Sequence, residues 1–439
     1  MNSPSDGFRD GRTPGGLAYR FLDWTARVSC EGSKARENAN GDANGVTGTD
    51  HSGQDVKSDR PRLAFYIPNL SVGGAEQVTV DIVNGLGARG YEVELIISHA
   101  TGELLPKVSD EVRVTILGSS RLPVVGIVAH VPALARYLRR VEPAAIFPQM
   151  THASVTCLAA RRLVDVETVV FPTKHCAFDE SNEMTLKSEA LRRLATALFP
   201  TADRIVGVSR GVADSLIEKM DLDPDRVSVL HNPVEIESIR ERANRPVDHE
   251  WVEDDDVDVV LFVGRLERQK DLETWLRTFA RVHEQNPDTR GIVAGKGSQR
   301  EALQSLAAEL GIEDVVSIPG YVENPYRFMH KARTFLLTSR YEGLPTVIIE
   351  ALACGCPVVA TDCPSGPREI LANGEYGRLA AVGDVDGLAD AVVQTLADPL
   401  PAAVLRGRAE NFAPGPILDE YERFIRTHVV EKRPVPEAA

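Results

Sequence analysis

The chain has 439 residues, 43% of them hydrophobic and 26% charged, enough to build two or three cores in an ordinary globular protein. Its 64 acidic against 49 basic side chains give a formal charge of −15, which argues against a general binder of nucleic-acid backbone. Six cysteines without a CxxC pair, and no uninterrupted apolar run of about 18 residues, argue against a disulfide scaffold and a single spanning helix.

Residues 1–60 are expected to be an N-terminal extension without a core. The segment opens MNSPSDGFRDGR and lacks the apolar stretch of a secretory signal, so a cytoplasmic chain in a reducing compartment is expected. In GLAYRFLDWTARV, Ala18, Phe21, Leu22, Trp24 and Val28 fall near one helical face, which suits a frayed tail better than a membrane-surface helix. From Ser29 to Ser58 small and polar residues dominate, and too little apolar surface is on offer to offset ordering.

Order is expected from Arg62. The runs LAFYIP, YEVELIIS, VRVTIL, AAIFP, ETVVFP and DRIVGVS read as buried strands, separated by helical stretches such as SEALRRLATALF. Residues 61–239 are therefore predicted to form one α/β domain. A charged linker, 240–258, carries the acidic run Glu253, Asp254, Asp255 and Asp256. The same alternation restarts over 259–413 with DVVLFVG, DLETWLRTFARVHEQ, RGIVAG, REALQSLAAELG, VVSIPG, TFLLTS and PVVATD. Short apolar strands alternating with helices predict parallel sheets covered on both faces. The expected fold class is α/β, two Rossmann-like domains facing across a cleft. Residues 414–439 are expected to hold a last amphipathic helix, LDEYERFIRTHVV, and a tail.

The most informative segment is SRYEGLPTVIIE, Ser339 to Glu350. Glu342 follows strand TFLLTS at the carboxyl edge, where open parallel sheets bind ligands. Pro345 suits a first helical turn, so Thr346 to Cys354 is predicted helical, with Glu350 about a turn and a half inside. Two carboxylates facing one cleft accept hydrogen bonds from vicinal hydroxyls. The backbone from Gly343 through Leu344 and Pro345 to Thr346 forms a helix N-terminus that favours an anion. Hydroxyls beside a phosphate describe a nucleotide sugar. An E-x7-E spacing also occurs on solvated helices, but Glu350 sits in TVIIEALACGCPVVA, where an unpaired carboxylate is costly.

GRLERQKD places Arg265 and Lys270 at the same sheet edge, and two fixed cations suit a departing diphosphate. Alone they would be ordinary surface charge. Gly73 and Gly74, between the first strand and first helix, let the backbone approach a phosphate or acceptor closely. Their spacing is not G-x-G-x-x-G, and the second strand ends in Ser98 and His99 with no acid, against a dinucleotide oxidoreductase.

VGGAE, GRLERQKD and SRYEGLPTVIIEALACGCPVVATD, in this order and spacing, resemble the retaining GT-B glycosyltransferases of family 4, the group 1 transferases, over about Arg62 to Thr427. The resemblance implies that Glu350 binds the nucleotide ribose, that Glu342 lies by the donor sugar, and that Arg265 and Lys270 hold the diphosphate. It places Gly73 and Gly74 near the phosphates and acceptor, and His175 of VVFPTKHCAF at the reacting centre. The last helix is implied to cross back to the first domain. Retention by front-face substitution is implied, the leaving phosphate helping to deprotonate the acceptor. The implied donor substrate is a UDP- or GDP-sugar, with no further cofactor. TDCPSGPREIL resembles transferases that extend polyprenyl-linked or cell-surface glycans, some using N-acetylhexosamine donors. Base recognition is expected near Gly320 to Val322.

Other features are expected to be structural. D-x-D patterns at Asp221, Asp223, Asp256 and Asp384 imitate a metal site; Asp384 reads as a helix cap, and no metal is expected. Cys354, Cys356 and Cys363 read as small buried thiols. His152 and Lys174 are weaker candidates for acceptor contacts, and His231 and Asn232 read as a domain-edge turn. LPVVGIVAHVPALARYLRR ends in Arg136, Arg139 and Arg140, read as a packed helix with a charged exit; the sharper reading is a peripheral contact with anionic lipid on the inner face of the cell membrane. The rival readings that use the same cleft are a sugar-nucleotide epimerase or phosphorylase and a non-catalytic GT-B partner subunit. A non-catalytic subunit is expected to lose Lys270 or an E-x7-E carboxylate, and all stand.

Overall fold

The computed structural model describes residues 60–71, 73–118, 129–176, 186–246, 249–254 and 256–431. The expectations for 1–59, including the GLAYRFLDWTARV helix, and for the apolar stretch 121–128 fall outside the described residues.

Within the first half, the strands are β1 (Leu63–Ile67), β2 (Val93–Ile97), β3 (Arg113–Ile116), β4 (Ala145–Pro148) and β5 (Val169–Val170). They form a parallel sheet in the order β3-β2-β1-β4-β5. Every residue of β1 and β2 is buried, as continuous apolar runs require when helices cover both faces. A smaller parallel sheet of β6 (Thr173–Lys174), β7 (Ile205–Gly207) and β8 (Val227–Val229) continues beyond it. The two meet at a single parallel bridge between Gln149 and Thr173.

The second half holds β9 (Asp258–Val263), β10 (Thr289–Ala294), β11 (Val316–Gly320), β12 (Thr334–Leu337), β13 (Val358–Thr361) and β14 (Arg378–Ala380). Their order is β11-β10-β9-β12-β13-β14, again parallel throughout. Helix Leu272–Gln285 covers one face by burying Trp275, Leu276, Phe279 and Val282, its Trp275 and Phe279 rings stacked 5.6 Å apart. In each half the chain leaves the first strand on one side and returns on the other, so β1 lies between β2 and β4, and β9 between β10 and β12. Such switch points open a crevice at the carboxyl ends of the strands.

The stretch read as a charged connector lies against the second half. Helix Ile236–Ala243 runs into it, Val252 is buried, the Arg242 guanidinium lies 4.6 Å from the Tyr326 ring centre, and Asn324 Nδ2 donates to the Arg242 carbonyl at 2.9 Å. Helix Pro414–Ile425, extended by a π turn over Arg426–Val430, returns to the first half. Its buried face, Ile417, Leu418, Tyr421, Phe424 and Ile425, meets an aromatic cluster in which Phe424 lies 4.9 Å from Phe171 and 6.2 Å from Phe147. Arg89 reaches it from the first helix, Gly74–Ala88, with 2.7 Å ion pairs to Asp419 and Glu422.

Candidate active site

The loop after β9 and the loop after β12 are tied together by hydrogen bonds. Thr338 Oγ1 donates to the carbonyls of Lys270 and Asp271, at 2.9 and 3.0 Å. Gln269 Nε2 donates to the Tyr341 carbonyl at 2.9 Å, while its Oε1 accepts from Arg265 at 3.2 Å. Within this frame Lys270 Nζ lies 2.5 Å from Glu342 Oε1, both side chains largely buried. Ser339 Oγ donates to the same oxygen at 2.6 Å. A carboxylate that is 6% exposed is tolerated because it is paired and hydrogen-bonded. Arg265 is exposed at the edge of the cluster, so its guanidinium remains open to a ligand.

Gly343 comes next and is where the halves touch. A Cβ at this position would collide with the carbonyl oxygen of His175, so only glycine allows the approach. Ser209 Oγ from the first half and Ser365 Oγ from the second both donate to the Gly343 carbonyl, at 2.8 and 3.1 Å. Ser209 is also the N-cap of helix Arg210–Met220, accepting from the Val212 amide. Leu344 and Pro345 are buried behind Gly343, and helix Thr346–Cys354 starts at Thr346, one residue after Pro345.

His175 ends β6. Its Nε2 lies 2.7 Å from Gln149 Oε1, and burial, with a smaller contribution from Lys174, pushes its pKa down to about 4. The Lys174 ammonium donates to Thr151 Oγ1 at 2.8 Å. Glu350 stands apart from the Lys270–Glu342 pair. Burial raises its pKa to about 7, opposed by a hydrogen bond from Thr346 and by Arg242, which is the cation acting on it. The expectation that both cations and both acids meet at one point therefore changes: Lys270 and Glu342 touch, Arg265 joins through Gln269, and Glu350 sits in the second turn of helix Thr346–Cys354, near Tyr326 and Arg242.

Gly73 and Gly74 are not a left-handed turn. Gly73 is extended and precedes helix Gly74–Ala88, and a Cβ on Gly74 would meet open space. The pair leaves a helix N-terminus bare beyond β1, with Glu76 in its first turn. The D-x-D aspartates take backbone roles: Asp221 ends a helix in the left-handed region, Asp223 accepts from the Asp225 amide, Asp256 donates its amide to Asp254 Oδ1, and Asp384 caps a helix by accepting from the Gly387 amide. Among the described residues no three His, Cys, Asp or Glu side chains converge to hold a metal ion. Cys354, Cys356 and Cys363 are buried and free. Arg136, Arg139 and Arg140 project from one exposed side of helix Val131–Val141.

Several contributors were not legible as such. Gln149, Ser209, Gln269, Ser339 and Ser365 act through contacts made by the fold, and only Ser209 carried a signal, an N-cap after strand DRIVGVS. Gly295 and Gly297, in the VAGKGS turn after β10, press against the backbone of Gly264 and Leu266; their Gly-x-Gly spacing at a strand end was the available clue. His231, read as a turn residue, bridges Glu369 at 2.8 Å and Glu420 at 3.0 Å, joining the second half, the first half and the returning helix. A cavity of about 850 Å³ also opens between the halves, but it includes neither Lys270 nor Glu342, and of its cations Lys219, Arg277 and Arg340 the two arginines are paired with Glu273 and Asp271.

Comparison with known proteins bears on both halves. Residues 72–238 match the family described as Glycosyltransferase Family 4, and residues 245–412 match Glycosyl transferases group 1. A Campylobacter jejuni enzyme, N-acetylgalactosamine-N,N'-diacetylbacillosaminyl-diphospho-undecaprenol 4-alpha-N-acetylgalactosaminyltransferase, is 27% identical over 80% of this chain and 94% of its own length. The lipopolysaccharide 1,6-galactosyltransferase of Escherichia coli is 25% identical over 59% of this chain and 67% of its own. Among solved structures, the lipopolysaccharide outer core galactosyltransferase WaaB superposes with a TM-score of 0.69 at 22% identity, covering 83% of this chain and 99% of that one. Anabaena HepE in complex with UDP also gives 0.69, at 20% identity, covering 83% and 100%.

Proposed function

Because the chain belongs to the group 1, family 4 glycosyltransferases and has their two-domain GT-B fold, we propose that it moves a hexose or N-acetylhexosamine from a nucleoside diphosphate sugar to a lipid-linked or other cell-surface glycan. The observation that carries the assignment of residues is the Arg265–Gln269–Lys270–Glu342 cluster, set at a sheet switch point beside His175. A UDP-sugar is the first donor to try, since HepE was solved with UDP. Two C. jejuni relatives are named for undecaprenol-linked substrates, which supports a polyprenyl-linked acceptor.

In this reading Arg265, Lys270 and the amides at the start of helix Thr346–Cys354 take the diphosphate, whose charge grows as the sugar C1–O bond breaks. Glu342 holds Lys270 and faces the sugar hydroxyls. Glu350 takes the ribose, in keeping with a carboxylate that is not paired with Arg265 or Lys270. Gly73 and Gly74 leave room for phosphate or acceptor. The acceptor oxygen forms the new bond to C1 on the face the diphosphate leaves, and its proton passes to a departing phosphate oxygen. Configuration is retained and no metal is required.

Incubating the full chain with UDP- and GDP-sugars and a polyprenyl-diphosphate glycan tests this, with diphosphate release and product mass as readouts. Transfer with a retained anomeric coupling constant, unaffected by chelator, is expected, and Lys270→Ala should lower kcat/KM about 100-fold, as for loss of one charge-stabilising group. Free nucleotide with an epimerised sugar would establish the epimerase, and no turnover with any donor the partner subunit.

A peripheral membrane contact is favoured by Arg136, Arg139 and Arg140 sharing an exposed face on a net-negative protein. Among the described residues no single helix is long and apolar enough to cross a membrane. Co-sedimentation with vesicles containing 30% anionic lipid (about that fraction, enough for a surface potential) should fall at least fivefold in Arg136→Glu/Arg139→Glu/Arg140→Glu; equal sedimentation removes this reading.

A further inference from the structure

Gln149 occupies the junction between β4 and helix Met150–Arg161 and is 1% exposed. Its amide N–H donates to the Tyr66 carbonyl at 2.8 Å, and the next residue, Met150, takes a left-handed φ of 69°, an unfavourable setting for a non-glycine residue. Both ends of the side-chain amide are engaged. Nε2 donates to the Phe147 carbonyl at 3.1 Å, and Oε1 faces His175 Nε2 at 2.7 Å. A backbone carbonyl can only accept, so the nitrogen must be the end that faces Phe147. The oxygen left for His175 can likewise only accept. The proton of a neutral His175 therefore sits on Nε2, and Nδ1 keeps its lone pair.

We propose that Gln149 is a positioning residue that locks His175 in the Nε2–H tautomer and presents Nδ1 to the cleft as a hydrogen-bond acceptor for a substrate hydroxyl. Among the described residues Nδ1 has no protein partner, and His175 is only partly covered. The His175 carbonyl abuts Gly343, in the loop that starts at the Lys270–Glu342 pair, so the backbone that carries the ring is anchored against that loop. The depressed pKa agrees: such an imidazole receives a hydrogen bond at neutral pH and does not carry the proton away. The charged group acting on it is Lys174, the residue before it, while Glu342, Lys270 and Arg265 from the facing loops act on Cys176, the residue after it. That the hydroxyl belongs to donor sugar or acceptor rests on the transferase reading; the tautomer does not.

Long-range 15N–1H spectra of histidine-labelled protein, with His175 assigned through His175→Gln, read the tautomer directly. The Nε2–H pattern is expected at pH 7.5, and the Nδ1–H pattern overturns the assignment whatever the activity. Gln149→Glu sets an anion against Nε2, so His175 should hold its proton longer. The acidic limb of kcat is expected to move up by about one pH unit or more, in line with a nearby opposite charge. Gln149→Met should lower kcat about tenfold with donor KM within about twofold, as for a misplaced group. An unmoved acidic limb in Gln149→Glu, with wild-type melting and nucleoside diphosphate affinity, also overturns it. Should wild-type protein show the Nε2–H signal and no transfer, the transferase reading fails and the tautomer stands.

Discussion

Glu350 shows how one side chain can couple ligand to proton. Its carboxyl is raised to about 7 chiefly by burial, so in ligand-free protein it is half protonated near neutral pH, whereas in the unfolded chain it ionises near its ordinary value. The sign follows: folding keeps the proton that the unfolded chain has lost, so this residue destabilises the ligand-free fold increasingly as pH rises from about 4.5 through 7. Glu350→Gln is expected to raise the melting temperature of ligand-free protein at pH 8 and to change it little at pH 4.5. A nucleoside diphosphate that hydrogen-bonds the ionised form should bind more weakly as pH falls below 7, with proton release on binding. Calorimetry in buffers of different ionisation enthalpy checks this, and the release should vanish in Glu350→Gln. The importance of Glu350 was visible in its apolar context, but its pKa was not, because burial depends on Tyr326 and Arg242 from elsewhere in the chain.

At the scale of elements, the returning helix Pro414–Ile425 is what makes two sheets one molecule. Its amphipathic face was legible in the spacing of Ile417, Leu418, Tyr421, Phe424 and Ile425. What it packs against was not. Phe424 is 7% exposed and lodged between Phe147 of β4 and Phe171, the residue after β5, both far away in the chain. Phe424→Ala should cost about 3–5 kcal/mol in denaturant unfolding, the usual range for a large aromatic lost from a packed site. Glu420→Gln on the same helix, where the half-buried carboxylate pairs with His231, tests the electrostatic contact separately. The sheet switch points were equally legible in outline: alternation of strands and helices announces a parallel sheet, and the carboxyl ends then become the ligand edge. The order of strands comes only from pairing across the sheet.

At the scale of the whole molecule, His231 fastens the halves. Burial alone would lower its pKa, yet the hydrogen bonds and charges of Glu369 and Glu420 raise it to about 9. Glu369 moves the opposite way: burial alone would raise it, but His231 and the Arg210 amide hold it below its usual value. A raised histidine contributes stability that is complete below its unfolded pKa of about 6.5 and is lost as pH climbs through about 9. Raising pH from 7 to 10 should therefore open the molecule, seen as an increased radius of gyration by X-ray scattering and a melting temperature lower by about 2–4 °C. His231→Gln should start from the more open state and show less change over that interval. An identical response from both proteins would show that other contacts, such as Ser209 with Gly343, hold the halves together.

The sequence by itself determined the class of fold, the two-part organisation, the family and which charged residues stand on the loops after β9 and β12. Each of these is written locally: apolar strands by composition, a helix start by Pro345 and Thr346, a pair of cations by GRLERQKD, a glycine where a turn or a close approach needs one. Only the tertiary structure decided which groups meet. Lys270 is paired with Glu342 and Glu350 with neither cation, His175 is oriented by Gln149, and His231 joins three elements. The physical reason is that hydrogen bonding and burial act through space at a few ångströms, between residues 26 to 189 positions apart in the chain.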